Sequence, residues 1–200
     1  MARGPQYNLA FRRRRTGRTN YRKRRRLVVS GLPRLVVRPS NKHLSAQVVQ
    51  AAPEGDHVLA SAHSSELKDF GWKGPCGNLS AAYLTGLLAG KRAKVAGTSN
   101  AILDLGLHHR GPGSRIFAAV KGSVDAGLEI LHDEKVIPVG DRIKGAHIAE
   151  YSKKLASEPE TYKRAFSSYT KQKLKPEDLP LHFSKVQTKI NAMQPEVTEK

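Results

Sequence analysis

The stretch NLSAAYLTGLLAGKRAKVAGTSNAILDL, residues 78–105, predicts a helix followed by a buried strand. Asn78 precedes the helix and can accept the free N–H groups of its first turn. Apolar and small residues then recur at helical spacing, namely Leu79, Ala82, Tyr83, Leu87 and Gly90, with Leu84 and Leu88 widening the stripe. The cations Lys91, Arg92 and Lys94 lie at the C-terminal end, where the helix dipole favours them, and Gly97 ends the helix. Ala101–Leu105 is the expected strand.

Three short apolar runs precede this stretch, each bounded by turn residues. They are residues 34–38 (RLVVR), 44–50 (LSAQVVQ) and 57–62 (HVLASA). Their spacing predicts an antiparallel meander. Ser114 opens a second helix, whose inward-facing residues are Ile116, Val120, Val124 and Leu128. A meander followed by helix, strand and helix predicts an α/β fold with a mixed β-sheet flanked by helices.

Helical patterns continue beyond Pro138. Asp141 is placed to cap a helix whose buried side would carry Ile143, His147, Tyr151 and Leu155. Pro159 suits the first position of a second helix, with Tyr162, Phe166 and Tyr169 on one side, and a third carries Phe183, Val186, Ile190 and Met193. We therefore divide the chain into an extended basic arm (residues 1–30), an α/β domain (31–140) and a helical C-terminal extension (141–200). The extension is expected to pack on the domain or on a partner.

The charge of the chain is concentrated at its N-terminal end. Of the formal net charge of +18, the first 53 residues contribute +14, because they hold fourteen Lys or Arg and no Asp or Glu. The bases are bunched at Arg12–Arg15 and at Arg22–Arg26. Like charges at this density repel one another and do not form a packed core on their own. A polyanion is the partner that such an arm requires, and nucleic acid is the densest one available.

Arginine predominates over lysine in the arm, and this favours RNA over a DNA duplex. The guanidinium group bridges phosphates and also stacks on unpaired bases. Tyr7, Phe11 and Tyr21 lie among the arginines and would add stacking on splayed bases. An irregular arm of this kind fits a folded RNA better than a duplex major groove, which usually receives a regular helix.

Other interpretations of the arm and of the whole chain fit the sequence less well. A merely solvated charge run and a nuclear-localisation-like stretch explain the arm less well, and a transit peptide is disfavoured by the low serine content. Cys76 is a lone cysteine, which excludes an intramolecular disulfide and makes a reducing compartment the default. No apolar run approaches 18 residues, so no membrane span is expected.

Metal and catalytic sites receive little support from the residue pattern. His108 and His109 are adjacent, and their side chains would diverge on a strand, so no metal site or cofactor is predicted. An RNA-processing hydrolase of ribonuclease-H-like architecture is the rival hypothesis, and it would need converging carboxylates to hold Mg²⁺. Asp104 and Asp125 are its candidates, but Asp104 also suits a turn and Asp125 also suits local charge balance. The chain is therefore expected not to be an enzyme.

Four stretches carry a resemblance to a known family. They are YNLAFRRRRTGRTNYRKRRRLV (7–28), RLVVRPSNKHLSAQVVQ (34–50), NLSAAYLTGLLAGKRA (78–93) and AILDLGLHHRGPGSRIFAAVKGSVDAGLEI (101–130). In this order and spacing, the chain resembles the 5S rRNA-binding proteins of the large ribosomal subunit, the L-eighteen family (L-five in eukaryotic naming), in its archaeal-type form. The resemblance implies a fold similar to that of the small-subunit protein S-eleven. It also implies a non-catalytic, cytoplasmic, ribosomal role in anchoring 5S rRNA to 23S rRNA in the central protuberance.

The resemblance also implies which residues contact RNA. Those expected from it to bind RNA are Arg12, Arg13, Arg14, Arg15, Arg18, Arg22, Lys23, Arg24, Arg25, Arg26, Lys42 and His43, and the stacking argument adds Tyr21. The residues themselves suggest the additional candidates Tyr7, Phe11, Arg110 and Arg115. Arg110 and Arg115 flank the glycine-rich segment at the start of the helix that Ser114 opens, where a phosphate could be held. The protein neighbours implied are the L-five family protein in bacterial naming and the L-twenty-one-e protein.

Overall fold

The computed structural model describes residue 4, residues 7–109 and residues 111–193. Its strands are β1 (Arg34–Pro39), β2 (Leu44–Ala52), β3 (Gly55–His63), β4 (Asn100–Asp104) and β5 (Glu129–Ile130). They form one sheet in the order β3-β2-β1-β4-β5, with antiparallel pairing along β1, β2 and β3 and parallel pairing of β4 with β1 and β5. This confirms the predicted meander and the mixed sheet.

Both helices predicted in the α/β domain are present, although the second ends at Asp125 and leaves Leu128 outside it, and the helices elsewhere differ from the prediction. They are α1 (Arg12–Arg15), α2 (Tyr21–Val29), α3 (Leu79–Val95), α4 (Arg115–Asp125), α5 (Gly140–Lys144), α6 (Ala146–Leu155), α7 (Pro159–Ala165), α8 (Ser167–Lys171) and α9 (Leu179–Ala192). Short 3₁₀ turns occur at Glu66–Lys68, Glu134–Val136 and Pro176–Asp178. No helix in the described part of the chain is both long and apolar enough to cross a membrane.

The sheet buries one face against α3 and α4. Leu35 lies opposite Val48, and Val37 lies opposite Ala46, so alternate side chains of β1 and β2 meet on the same buried face. That face packs under the two helices. Burial of such alternating apolar positions fixes the register, because a shift by one residue would expose all of them.

Two glycines let α3 and α4 cross in close contact. Asn78 caps α3 as predicted, its Oδ1 accepting from the Ala81 N–H at 2.7 Å. At the crossing, a Cβ on Gly86 of α3 would overlap the Ala119 carbonyl, and one on Gly122 of α4 would overlap the Tyr83 carbonyl. The backbones therefore meet where no other residue fits, which sets the spacing between the two helices.

The C-terminal helices complete the same core as the sheet. Phe183 lies with its ring centroid 5.5 Å from that of Tyr83 in α3. Val186 and Ile190 of α9 are buried in the same hydrophobic cluster as Leu35 of β1. The aromatic grouping of Tyr162, Phe166 and Tyr169 is also present, with centroids 5.1 and 5.9 Å apart. Helix α7 begins at Pro159 as predicted, but the single helix predicted to carry all three rings is divided at Phe166 into α7 and α8.

The prediction of one helix after Asp141 is wrong. Gly145 adopts a left-handed conformation, with φ of +87°, and divides the segment into α5 and α6. Asp141 lies inside α5 and does not cap it. Because the chain changes direction there, His147 and Tyr151 are exposed, while Ile143 stays buried and its carbonyl accepts from Ser80 Oγ at 2.7 Å.

The prediction of an extended arm is also wrong for part of residues 7–30. Tyr21–Val29 forms a helix that Asn20 caps, its Oδ1 accepting from the Lys23 N–H at 3.0 Å. No residue of α1 or α2 is buried. Neither helix therefore has the apolar periodicity that predicts a helix from sequence, although arginine has good intrinsic helix propensity.

Candidate nucleic-acid interface

The outer surface of the arm is formed by arginines that point into solvent. Arg12–Arg15 of α1 are all exposed, as are Arg18 and, on α2, Arg22, Arg25 and Arg26. No acidic residue lies in the first turn of either helix, and none occurs before Glu54. We call the exposed arginines Arg12–Arg15, Arg18, Arg22, Arg25 and Arg26 the arm surface. Clustered cations without acidic partners attract a polyanion strongly and over a distance of about one Debye length.

Two other bases of α2 attach the helix to the domain. Arg24 Nη2 lies 2.8 Å from Asp56 Oδ1 in β3, and Lys23 Nζ donates to the Gly106 carbonyl at 3.3 Å. Lys23 and Arg24 are half-buried. The five consecutive bases predicted to bind RNA therefore divide into two that position the helix and three that face outward.

A cavity of about 560 Å³ separates the arm from the open face of the sheet. Val36, Gln47 and Val58 line it from the sheet, and Leu27 lines it from α2. This is the sheet face that α3 and α4 do not cover. The arm helix thus lies over the open side of the sheet, and the layers run arm, sheet, then helices.

A buried arginine network lies under the arm, and sequence reasoning missed it. Arg34 is only 2% exposed, and it contacts Asp56 Oδ2 at 2.9 Å and Asp104 Oδ2 at 3.1 Å. Arg38 Nη2 donates to the other Asp104 oxygen at 3.2 Å. A buried guanidinium requires acidic partners. An arginine at the start of an apolar strand was the available signal, but the partners depend on strand register.

The same contacts decide the chemical role of Asp104. Besides the two arginines, its Oδ1 accepts from the Gly106 N–H at 2.8 Å, which confirms that it serves the turn after β4. Asp125, the other hydrolase candidate, accepts from Tyr83 Oη and from Lys121 Nζ, each at 2.8 Å. Burial, together with the Asp125 contact, raises the pKa of Tyr83 well above its ordinary value. Both carboxylates are already paired, and the described residues contain no group of three ligands suited to a metal ion.

Asp56 makes the stability of the arm–sheet junction dependent on pH. Its burial opposes ionisation, but the hydrogen bonds and charges of Arg34 and Arg24 outweigh this and hold its pKa below the ordinary 3.8. A lowered carboxyl pKa contributes stability above the unfolded-state value, and that contribution is lost as the pH falls through the folded-state value. We expect Asp56→Asn to lower the free energy of unfolding at pH 7 by about 1 to 2 kcal/mol.

Urea unfolding of the wild-type chain and of Asp56→Asn at pH 7, 5 and 3 checks this expectation. The difference between the two should be similar at pH 7 and 5 and should shrink below about pH 4. A difference that stays constant or grows in acid would show that the Asp56 carboxylate does not hold the junction. Glu54→Gln is the control, since Glu54 is an exposed acid two residues away.

The β1–β2 turn presents the next two predicted RNA-binding residues differently. Lys42 is exposed, whereas His43 is half-buried, with Nδ1 3.3 Å from Ser64 Oγ and its ring 5.1 Å from that of His63. His43 therefore contributes to holding the turn, and Lys42 carries its charge outward.

The additional RNA-binding candidates differ in their exposure to solvent. Tyr7, Phe11 and Tyr21 are 50%, 88% and 43% exposed, so their rings are available for stacking. Arg115 is half-buried, and its Nη1 donates to the Ser40 carbonyl at 2.8 Å and the Gly77 carbonyl at 3.0 Å. It thereby ties the β1–β2 turn to the start of α4. Arg110 lies outside the described residues.

A protein-family model matches most of the arm and of the α/β domain. The model described as "Ribosomal large subunit proteins 60S L5, and 50S L18" matches residues 5–98 and 94–133. The matched ranges contain the arm surface, all of the sheet, α3 and α4. They stop before α5, so the C-terminal helices lie outside the match.

Proposed function

Because the chain belongs to the family of large-subunit ribosomal proteins that includes 60S L5 and 50S L18, we propose that it binds 5S rRNA. In this proposal the protein is a structural constituent of the subunit that helps anchor 5S rRNA to 23S rRNA in the central protuberance. Its protein neighbours would include the L-five family protein in bacterial naming and the L-twenty-one-e protein.

The observation that carries the proposal is the arm surface. Eight arginines face solvent, seven on the two short helices and Arg18 between them, and the bases that hold the arm in place are different ones. Each phosphate that such a cation neutralises releases condensed counterions, which makes binding favourable and dependent on salt. The helices lie over a sheet whose shape is fixed by the Arg34 network, so the cations are presented on a defined surface.

We propose three roles for the residues predicted to contact RNA. The arm surface binds phosphates, the exposed rings of Tyr7, Phe11 and Tyr21 stack on unpaired bases, and Lys42 adds a contact at the β1–β2 turn. Lys23, Arg24, His43 and Arg115 act mainly by positioning these elements. In the same proposal, residues 1–30 are the RNA-binding arm, 31–140 the 5S rRNA-binding domain, and 141–200 a helical extension.

Binding of the full chain to 5S rRNA and to a tRNA, at several salt concentrations, tests the proposal. Sequence-independent phosphate contacts weaken similarly on both RNAs as salt rises, whereas contacts to the folded shape of the 5S rRNA do not. The ratio of the two affinities should therefore favour 5S rRNA and persist at high salt. Equal affinities at every salt concentration would contradict specific recognition.

The same samples distinguish the hydrolase hypothesis. Asp104 is engaged by Arg34 and Arg38, so we expect the 5S rRNA to stay intact when Mg²⁺ is added. Cleavage of the RNA that depends on Mg²⁺ and disappears in Asp104→Asn would instead favour a hydrolase.

A further inference from the structure

A second basic surface lies on the side of the molecule away from the arm. Helix α9 packs on α3, and α3 covers the sheet face opposite the arm. Between α9 and the loop that precedes α3 is a groove of about 530 Å³, which we call the lysine groove. Its lining residues are Gly71, Lys73, His182, Lys185, Val186, Thr188 and Lys189. No carboxylate is among them.

The spacing of α9 places the cations of the groove on one face. His182, Lys185 and Lys189 follow one another at intervals of three and four residues, which lie side by side on a helix. Lys73 reaches the groove from the loop. All three lysines are exposed, and none forms an ion pair within the described residues. Like charges at this spacing weaken a helix slightly, so the arrangement is unfavourable until an anion is bound.

The loop that precedes α3 contacts α9 across the lysine groove. The Lys73 N–H donates to His182 Nε2 at 3.0 Å, and the His182 ring stacks on buried Trp72 at 5.2 Å. Gly71 leaves room for the lysine opposite, since a Cβ there would come within 3.3 Å of Lys189 Nζ. Burial and the charges of Lys73, Lys185 and Lys189 lower the pKa of His182, which favours the neutral ring whose Nε2 accepts the Lys73 hydrogen bond.

We propose that the lysine groove binds the sugar-phosphate backbone of a second RNA segment, different from the one held by the arm. Lysine ammonium groups act as point charges and need no particular base, and the Thr188 hydroxyl is a further phosphate donor. A protein partner would normally insert aromatic or aliphatic anchors, but among the described residues that line the groove only Val186 has an apolar side chain. The inference rests on the proposed function, because it assumes that one RNA segment is bound by the arm. The lysine groove, on the opposite surface, is then free to bind another.

Charge-neutralising variants of the full chain test the groove. The triple variant Lys73→Gln, Lys185→Gln and Lys189→Gln is compared with a matched control, Lys153→Gln, Lys154→Gln and Lys163→Gln, whose lysines are exposed on α6 and α7. A third variant replaces the three groove lysines by arginine. The probe is a fluorescent 20-nucleotide oligouridylate, titrated at several salt concentrations into each chain, both free and saturated with 5S rRNA.

When 5S rRNA saturates the arm, we expect the groove variant to bind the oligouridylate about tenfold more weakly than the wild-type chain at 0.1 M salt. Its salt slope should be smaller by about 2, since each phosphate contact on a single strand contributes about 0.7. The control and the arginine variant should match the wild-type chain. Equal binding by groove and control variants would overturn the proposal. So would a polyglutamate peptide that competes as well as RNA, because the partner would then be an acidic protein.

The design separates this inference from the proposed function. Affinity for 5S rRNA is measured on its own during saturation, and loss of specificity there contradicts the proposed function alone. The arm is identical in all variants. A difference in oligouridylate affinity between the groove variant and the control variant, measured without 5S rRNA, is therefore due to the groove lysines. Thermal unfolding of each variant shows whether it is folded, and the arginine variant separates loss of charge from loss of structure.

Discussion

Replacing seven arginines of the arm surface by glutamine is expected to weaken 5S rRNA binding by about a thousandfold at 0.1 M salt. The seven are Arg12, Arg13, Arg14, Arg15, Arg22, Arg25 and Arg26. Each phosphate contact contributes about 0.7 to 0.9 to the salt slope, so removal of seven should reduce the slope by about 5. Filter binding or fluorescence anisotropy at 50 to 300 mM salt (roughly the range over which such slopes are resolved) measures both quantities.

The matched control removes the same charge from the C-terminal helices. Its substitutions to glutamine are at Lys144, Lys153, Lys154, Lys163, Arg164 and Lys171 on these helices and at Lys175 between α8 and α9, all exposed. If net charge alone governed binding, the two variants would lose affinity equally, and this would contradict a role for the arm. Because Lys23 and Arg24 are kept, α2 retains its contacts to Gly106 and Asp56, so the arm variant should unfold as the wild-type chain does.

The second large effect concerns the crossing of α3 and α4. Alanine normally stabilises a helix relative to glycine by about 1 kcal/mol. At Gly86 and at Gly122, however, the added Cβ overlaps a backbone carbonyl of the other helix, and a backbone cannot rotate away as a side chain does. We expect Gly86→Ala and Gly122→Ala each to lower the free energy of unfolding by about 3 kcal/mol or more.

Urea denaturation of the full chain measures this effect, with Gly140→Ala as the control. Gly140 begins α5, is exposed, and has open space where a Cβ would lie. The control should therefore be unchanged or slightly more stable. If alanine at Gly86 left the unfolding midpoint unchanged, the helices would not be in contact there, and the packing described for the core would be wrong.

The elements predicted correctly are those whose signals are local. Asn78 caps α3 because an asparagine oxygen reaches the N–H groups three residues along the same chain, and no tertiary contact is needed. The runs at Arg34–Pro39 and Leu44–Ala52 pair as expected, since their apolar residues alternate and the turn between them is short. Few arrangements of the sheet are possible when a helix and a parallel strand follow a meander, because such connections are short and right-handed.

The features that escaped prediction depend on distant residues or on surfaces without an apolar stripe. Helix α2 buries no side chain, so its sequence lacks the periodicity that marks a helix packed on a core. The pairing of Arg34 with Asp56 and Asp104 joins three strands and requires their register. The lysine groove likewise brings Lys73 against α9, more than 100 residues away in the chain, which composition alone does not indicate.

The sequence does not show which bases of the candidate site face solvent and which contact the rest of the protein. The bases of Arg22–Arg26 are equivalent in the sequence, yet the helix turns Lys23 and Arg24 toward the sheet and the other three outward. Arg115, a candidate phosphate contact, donates to the carbonyls of Ser40 and Gly77. Direction around a helix and contacts between loops decide these roles, and both are tertiary properties.

Crosslinking in the native ribosome tests the central claim most directly. The tagged full chain is expressed in its source cells, large subunits are isolated, and RNA crosslinked to the chain by ultraviolet light is sequenced. We expect the chain to sediment with the large subunit and its crosslinks to be enriched in 5S rRNA, with fewer of them in the variant that lacks the seven arm arginines. Crosslinks confined to other RNAs, or a chain absent from the large subunit, would contradict the claim that this protein holds 5S rRNA.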